Sequence, residues 1–212
     1  MIKTVSKFTL VMSCLVGVTL WTGSVSAEDL STAQVDQVSA KAIDEVSHTI
    51  DLLVETVAQH PGDDEVEIRR ETLHDIIAPR FDFQEMAKRS LGAHWSKVDE
   101  VQRNEFVSVF SKLLAKTYLE RIEHIRKETV AIKDEQMKND KVAVVHTIVT
   151  HKGDKFPIDY KLVRRKSGWR VYDVVIENIG LVSNYRNEFA GIIRKEQFAG
   201  LMERLKQKTG NS

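Results

Sequence analysis

The feature that most constrains this chain is a change in its hydrophobic period near Lys127. Before that point apolar residues recur three and four positions apart, the spacing of one helix face; after it they alternate, the spacing of one strand face. Val35, Val38, Ala42, Val46, Ile50, Leu53 and Val57 predict a long amphipathic helix from Leu30 to Gln59, ended by His60-Pro61-Gly62. A second helix is expected from Glu65 to Ile77, stopping before Pro79. Asp82 with Glu85 reads as a capping pair opening a short helix, which Gly92 closes from a left-handed position. Ser96 or Asp99 starts a longer helix whose broad apolar face includes Phe106, Phe110, Leu114 and Tyr118.

The alternating half predicts four strands: Thr129–Lys138, Lys141–His151, Lys155–Arg165 and Trp169–Ile176. Turns fall at Asn139-Asp140, Lys152-Gly153-Asp154 and Ser167-Gly168, and connections this short make an antiparallel meander. Phe156, Ile158, Tyr160 and Leu162 share one face of the third strand. Strict alternation puts Trp169 and Val171 on one face of the fourth, with Tyr172, Val174 and Ile176 on the other. Two closing helices are expected, Asn184–Arg194 and Gln197–Lys208. The class is therefore α+β, with amphipathic helices packed on an antiparallel sheet of about four strands; such a sheet, when curved, encloses a pocket.

The first 27 residues are of another kind. Lys3 and Lys7 precede an apolar run from Phe8 to Trp21, and small residues follow to Val25-Ser26-Ala27, the pattern of a secretory leader cleaved after Ala27. An uncleaved anchor is the competing expectation, disfavoured by the small polar end of the run. Cys14 is the single cysteine and falls inside the leader, so thiol chemistry and cysteine-bound zinc are excluded from the mature chain. Loss of Lys3 and Lys7 takes the 31 basic residues to 29 against 31 acidic ones, a net charge of −2 that gives no general attraction to nucleic acid. Residues 28–212 then form a single domain, helical over 28–126, with the sheet over 127–177 and the closing helices over 183–208.

No phosphate loop, zinc-protease helix, nucleophile elbow or calcium loop is present, so no cofactor or metal is expected and binding outranks catalysis. His146 and His151 stand five apart, on opposite faces of one strand, which disfavours a metal pair. Asp159 and Asp173 are candidate neighbours on adjacent strands and the best candidates for a general base, although a surface or structural role is the commoner fate of such residues. Arg164-Arg165-Lys166 reads as a solvated turn.

Several motifs occur together in order: Phe81-Asp82-Phe83, Met86-Ala87, Leu91-Gly92, Trp95, Gln102-Arg103, Phe106, Phe110 and Tyr118 in the first half. Asp159-Tyr160, Gly168-Trp169-Arg170-Val171-Tyr172-Asp173-Val174, Ile176-Glu177, Leu181-Val182, Asn184-Tyr185-Arg186 and Phe189 follow in the second. Each is weak alone; their ordered sum resembles the MlaC, or toluene-tolerance, family of periplasmic lipid-binding proteins. One departure is Asn178-Ile179-Gly180, where that family usually has Gly-Val-Ser.

The resemblance implies an NTF2-like sheet around a deep apolar pocket for the tails of a phospholipid, with two acyl chains. It also implies a periplasmic shuttle between an outer-membrane lipoprotein complex and an inner-membrane ABC transporter with its membrane-tethered lipid-binding subunit, maintaining outer-membrane lipid asymmetry. Expected lining residues are Phe106, Phe110 and Leu114 from the long helix, and Val144 and Ile148 from the second strand. The sheet adds Phe156, Ile158, Tyr160 and Leu162, then Trp169, Val171, Tyr172 and Val174, and the closing helix adds Tyr185 and Phe189. Arg186 is expected at the pocket mouth or as a helix cap. Alternatives are an NTF2-like enzyme using Asp159 or Asp173 on a small apolar substrate, a carrier of hopanoid lipid, and an adaptor docking through its first helix.

Overall fold

The computed structural model describes residues 41–122 and 129–210, apart from the side chains of 119–122. The leader, its cleavage site at Ala27 and the first part of the long helix, Leu30 to Ala40, lie outside the described residues.

Helix α1 (Ala42–Gln59) buries Ala42, Val46, Ile50 and Leu53, the three- and four-residue spacing of the sequence pattern. Helix α2 (Val66–Ile77) buries only Arg69 and Leu73 and leads through a 3₁₀ turn over 78–80 containing Pro79. Helix α3 (Phe83–Leu91) is capped by Asp82, whose Oδ1 accepts from the Glu85 amide at 2.8 Å. It stops at Gly92, where φ of +54° favours a residue without a Cβ. Helix α4 (Glu100–Ile122) opens with a reciprocal box: the Gln102 amide donates to Asp99 Oδ1, and the Asp99 amide donates to Gln102 Oε1.

The strands run β1 (Val130–Asn139), β2 (Val142–His151), β3 (Asp154–Arg165), β4 (Gly168–Ile176) and β5 (Ile179–Gly180), paired antiparallel in chain order. The meander is as expected, with a fifth short strand added. Arg165 is not left to solvent: it donates to Asp82 Oδ2 at 2.7 Å and reaches Glu85, tying the β3–β4 turn to the start of α3. In the β4–β5 turn Glu177 and Asn178 both take positive φ, +49° and +68°. Asparagine tolerates that conformation better than most residues, which suits Asn178 to this turn.

Strict alternation fails in β4. Lys161 pairs with Asp173 but Leu162 pairs with Val171, so Tyr172 is an inserted residue, a β-bulge. The bulge shifts the phase by one, and Trp169, Val171, Val174 and Ile176 all meet the same core instead of dividing between faces. Beside the bulge, the Asp82 amide donates to the Val171 carbonyl at 2.8 Å, which seats the start of α3 against β4.

Two cores result. One joins α1, through Ala42, Val46 and Ile50, to the inner sheet face. The other is all-helical and joins α3 and α4 to helix α5 (Leu181–Thr209). Within α5 the backbone breaks at Gln197 (φ +62°, ψ −178°), the boundary between the two expected closing helices.

Candidate functional site

Between the two cores lies a cavity of about 550 Å³. Its sheet wall is made by Phe156, Ile158 and Tyr160 of β3 with Val174 and Ile176 of β4. The facing wall comes from α2 (His74 and Ile77), from Phe81, Phe83 and Met86 around the start of α3, and from Leu114, Ala115 and Tyr118 of α4. Val149 and Leu181 complete the apolar surface. The exposed members, His74, His151 and Glu177, mark the rim. They come from the end of α2, the end of β2 and the β4–β5 turn, so the mouth opens at the end of the sheet carrying the β2–β3 hairpin.

The walls follow from local sequence. Alternation on β3 sends Phe156, Ile158 and Tyr160 inward, and the β4 bulge adds Val174 and Ile176 to that side. Phe81 and Phe83 stack with ring centroids 5.8 Å apart, flanking the Asp82 cap. One short motif therefore starts a helix and paves a cavity wall.

The inner surface carries two phenols. Tyr118 is hydrogen-bonded to Tyr185, whose own ionisation is pushed up by burial and by that neighbour. Tyr160 differs: among the described residues its hydroxyl has no hydrogen-bond partner, and burial alone pushes its pKa up to about 12. By surface area Tyr160 is half-buried, and its hydroxyl opens to the cavity.

Of the residues expected from the sequence, Leu114, Phe156, Ile158, Tyr160 and Val174 line this cavity. Phe106, Phe110, Tyr185 and Phe189 do not; they form an edge-to-face aromatic cluster within the helical core. Leu162, Trp169 and Val171 pack beneath α1. Val144 and Ile148 alternate with Ala143, Val145 and Val149 and so belong to the outer sheet face. Tyr172, the bulge residue, lies under the Arg89 guanidinium at 4.4 Å. Arg186 is a cap, not a mouth residue: its Nε donates to the Arg89 carbonyl at 2.7 Å at the end of α3.

The two aspartates do not meet each other or the cavity. Asp159 pairs with His146, Oδ1 to Nδ1 2.7 Å, on the outer sheet face. Asp173, only 6% exposed, accepts from the Val182 amide at 3.0 Å and from Lys161 Nζ at 3.1 Å, capping α5. Its acceptor capacity serves the fold. Among the described residues no cluster of three metal-ligating side chains occurs.

Sequence reasoning missed the α2 wall and the Phe81, Phe83 and Met86 wall. The second had a signal: three large apolar side chains crowd a nine-residue helix start whose capping needs at most one of them. The α2 wall had little, because its lining residues, the exposed His74 and the half-buried Ile77, lie in the last turn of a helix of low amphipathicity.

The phospholipid-binding protein from Ralstonia solanacearum, solved in complex with a phospholipid, superimposes with a TM-score of 0.72 at 28% identity. The match covers 81% of this chain and 98% of that one, and the α+β, NTF2-like architecture is common to both. The family model described as MlaC protein matches residues 47–207, a span that runs from α1 through α5 and includes every described wall of the cavity. The chain belongs to the MlaC family.

Proposed function

We propose that this protein is a periplasmic phospholipid carrier that holds acyl chains in the cavity between the sheet and helices α2 to α4. The observation that carries the proposal is an apolar cavity with an open, polar-rimmed mouth, in a chain similar to a protein solved with a phospholipid bound. The physical need is plain. A methylene exposed to water costs about 0.8 kcal/mol, so an uncovered chain of sixteen carbons faces a barrier of roughly 13 kcal/mol on crossing an aqueous gap. A carrier removes that barrier by enclosure and needs no covalent chemistry.

Capacity bears on stoichiometry. A cavity of about 550 Å³ is large enough for at least one long acyl chain. The wall best able to yield to a second is α2, the helix with the fewest buried apolar anchors among α1 to α4.

Family membership supports a shuttle between an outer-membrane lipoprotein complex and an inner-membrane ABC transporter with its membrane-tethered subunit. The leader ending at Ala27 supplies export, and no described helix is long and apolar enough to cross a membrane. An enzyme using Asp159 or Asp173 draws no support from the geometry, since both carboxylates face away from the cavity.

The test is native mass spectrometry of mature protein purified without detergent from a periplasmic extract, followed by lipid identification. Co-purified phospholipid is expected, and its chain count answers the capacity question. Hopanoid lipid would change the cargo; an empty protein that also takes nothing from vesicles would refute the carrier role.

A further inference from the structure

Tyr160 is the inner group whose chemistry the carrier role leaves unused. It follows Phe156 and Ile158 on the inward face of β3, and the rim residue Glu177, whose amide donates to the Pro157 carbonyl, lies three residues and roughly 10 Å along the strand from it. The other inner phenol, Tyr118, is bonded to Tyr185; Tyr160 has no partner among the described residues. A phenylalanine would give the same apolar wall without a donor open to the cavity. Burial keeps the phenol protonated well beyond neutral pH, so at working pH it offers an O–H.

We infer that the Tyr160 hydroxyl donates a hydrogen bond to an ester carbonyl of the bound lipid, and that the cavity thereby selects acyl-ester lipids over ether-linked ones. The inference rests on the carrier role proposed above. Hydrocarbon tails carry no acceptor, and the phosphate and headgroup stay at the hydrated rim beside His74, His151 and Glu177. The ester carbonyls are the strong acceptors attached to the chains that pass below that rim. An ether lipid of equal chain length fills the same volume but offers only weak ether oxygens, leaving the phenol unsatisfied.

The test compares uptake of dihexadecanoyl phosphatidylglycerol with that of its dihexadecyl ether counterpart, by the mature wild-type protein and by Tyr160→Phe. Wild type is expected to bind the ester lipid about five- to ten-fold more tightly. Tyr160→Phe is expected to bind both equally, at the wild-type affinity for the ether. The ester C=O infrared band of lipid bound to wild type, a readout needing no variant, should sit at the lower frequency of a hydrogen-bonded carbonyl. Equal binding of the two lipids by wild type, a preference that survives in Tyr160→Phe, or a carbonyl band like that in dry hydrocarbon overturns the inference and leaves the carrier role standing. Uptake of neither lipid by wild type overturns both.

Discussion

Replacing Ala115 by tryptophan should empty the protein of lipid without unfolding it. Ala115 sits on α4 with its methyl group in the cavity wall, so a larger side chain grows into open space and not into packed core. Tryptophan adds nine non-hydrogen atoms, which at protein packing density exclude roughly five or six methylenes. That takes a substantial part of a cavity of about 550 Å³ away from the chain. At about 0.8 kcal/mol per methylene the loss is about 4 kcal/mol, nominally a thousand-fold in affinity. Some displaced carbons can lie along the open mouth, so a loss of at least about a hundred-fold is expected. The assay is uptake of phospholipid from vesicles, read by native mass spectrometry, with thermal unfolding measured in parallel. Val101→Trp on the same helix is the control, since Val101 is 77% exposed and outside the cavity. Wild-type uptake by a folded Ala115→Trp protein would mean that the lipid does not occupy this cavity.

Three further outcomes are expected. Asp173→Ala removes the α5 cap and the partner of Lys161, costing about 2–3 kcal/mol and about 5–10 °C in Tm, while lipid uptake per folded molecule is retained. Lost uptake with an unchanged Tm would instead place Asp173 in the binding machinery. Tyr160, with a folded pKa raised from 10 to about 12, contributes stability that is fully present below pH 10 and is lost as pH rises towards 12, because only the unfolded chain ionises easily in that window. Alkaline denaturation of Tyr160→Phe should lack this share of the loss, and an unchanged alkaline slope would show that the phenol is not buried. Gln197→Gly should raise Tm by about 2–4 °C, because φ +62° with ψ −178° is a conformation nearly confined to glycine; a lower Tm would mean the break carries no strain.

Much of the architecture was legible because it rests on local rules. The Asp82 and Asp99 caps, the stops at Pro61 and Gly92, and the helix-to-strand change are near-neighbour effects that a sequence displays directly. The site was only half legible. Alternation put Phe156, Ile158 and Tyr160 on one face without saying that it is the inward one, and Phe106, Phe110 and Phe189 are as apolar as any lining residue and differ only in what packs on them. Apolar composition marks burial; it does not say whether the neighbour is protein or cavity.

The sequence by itself determined the order of helices before strands, the meander and which residues share a face of β3, all set by periodicity and turn chemistry over a few residues. Only the tertiary structure decided the phase of β4. The bulge at Tyr172 sits where the start of α3 bonds Val171, and a contact some ninety residues apart leaves no trace in the local pattern. The same holds for Asp173 and Arg186, whose partners Lys161, Val182 and Arg89 are chosen by packing. The cavity itself belongs to this second class, since it is the space that two separately packed cores leave between them.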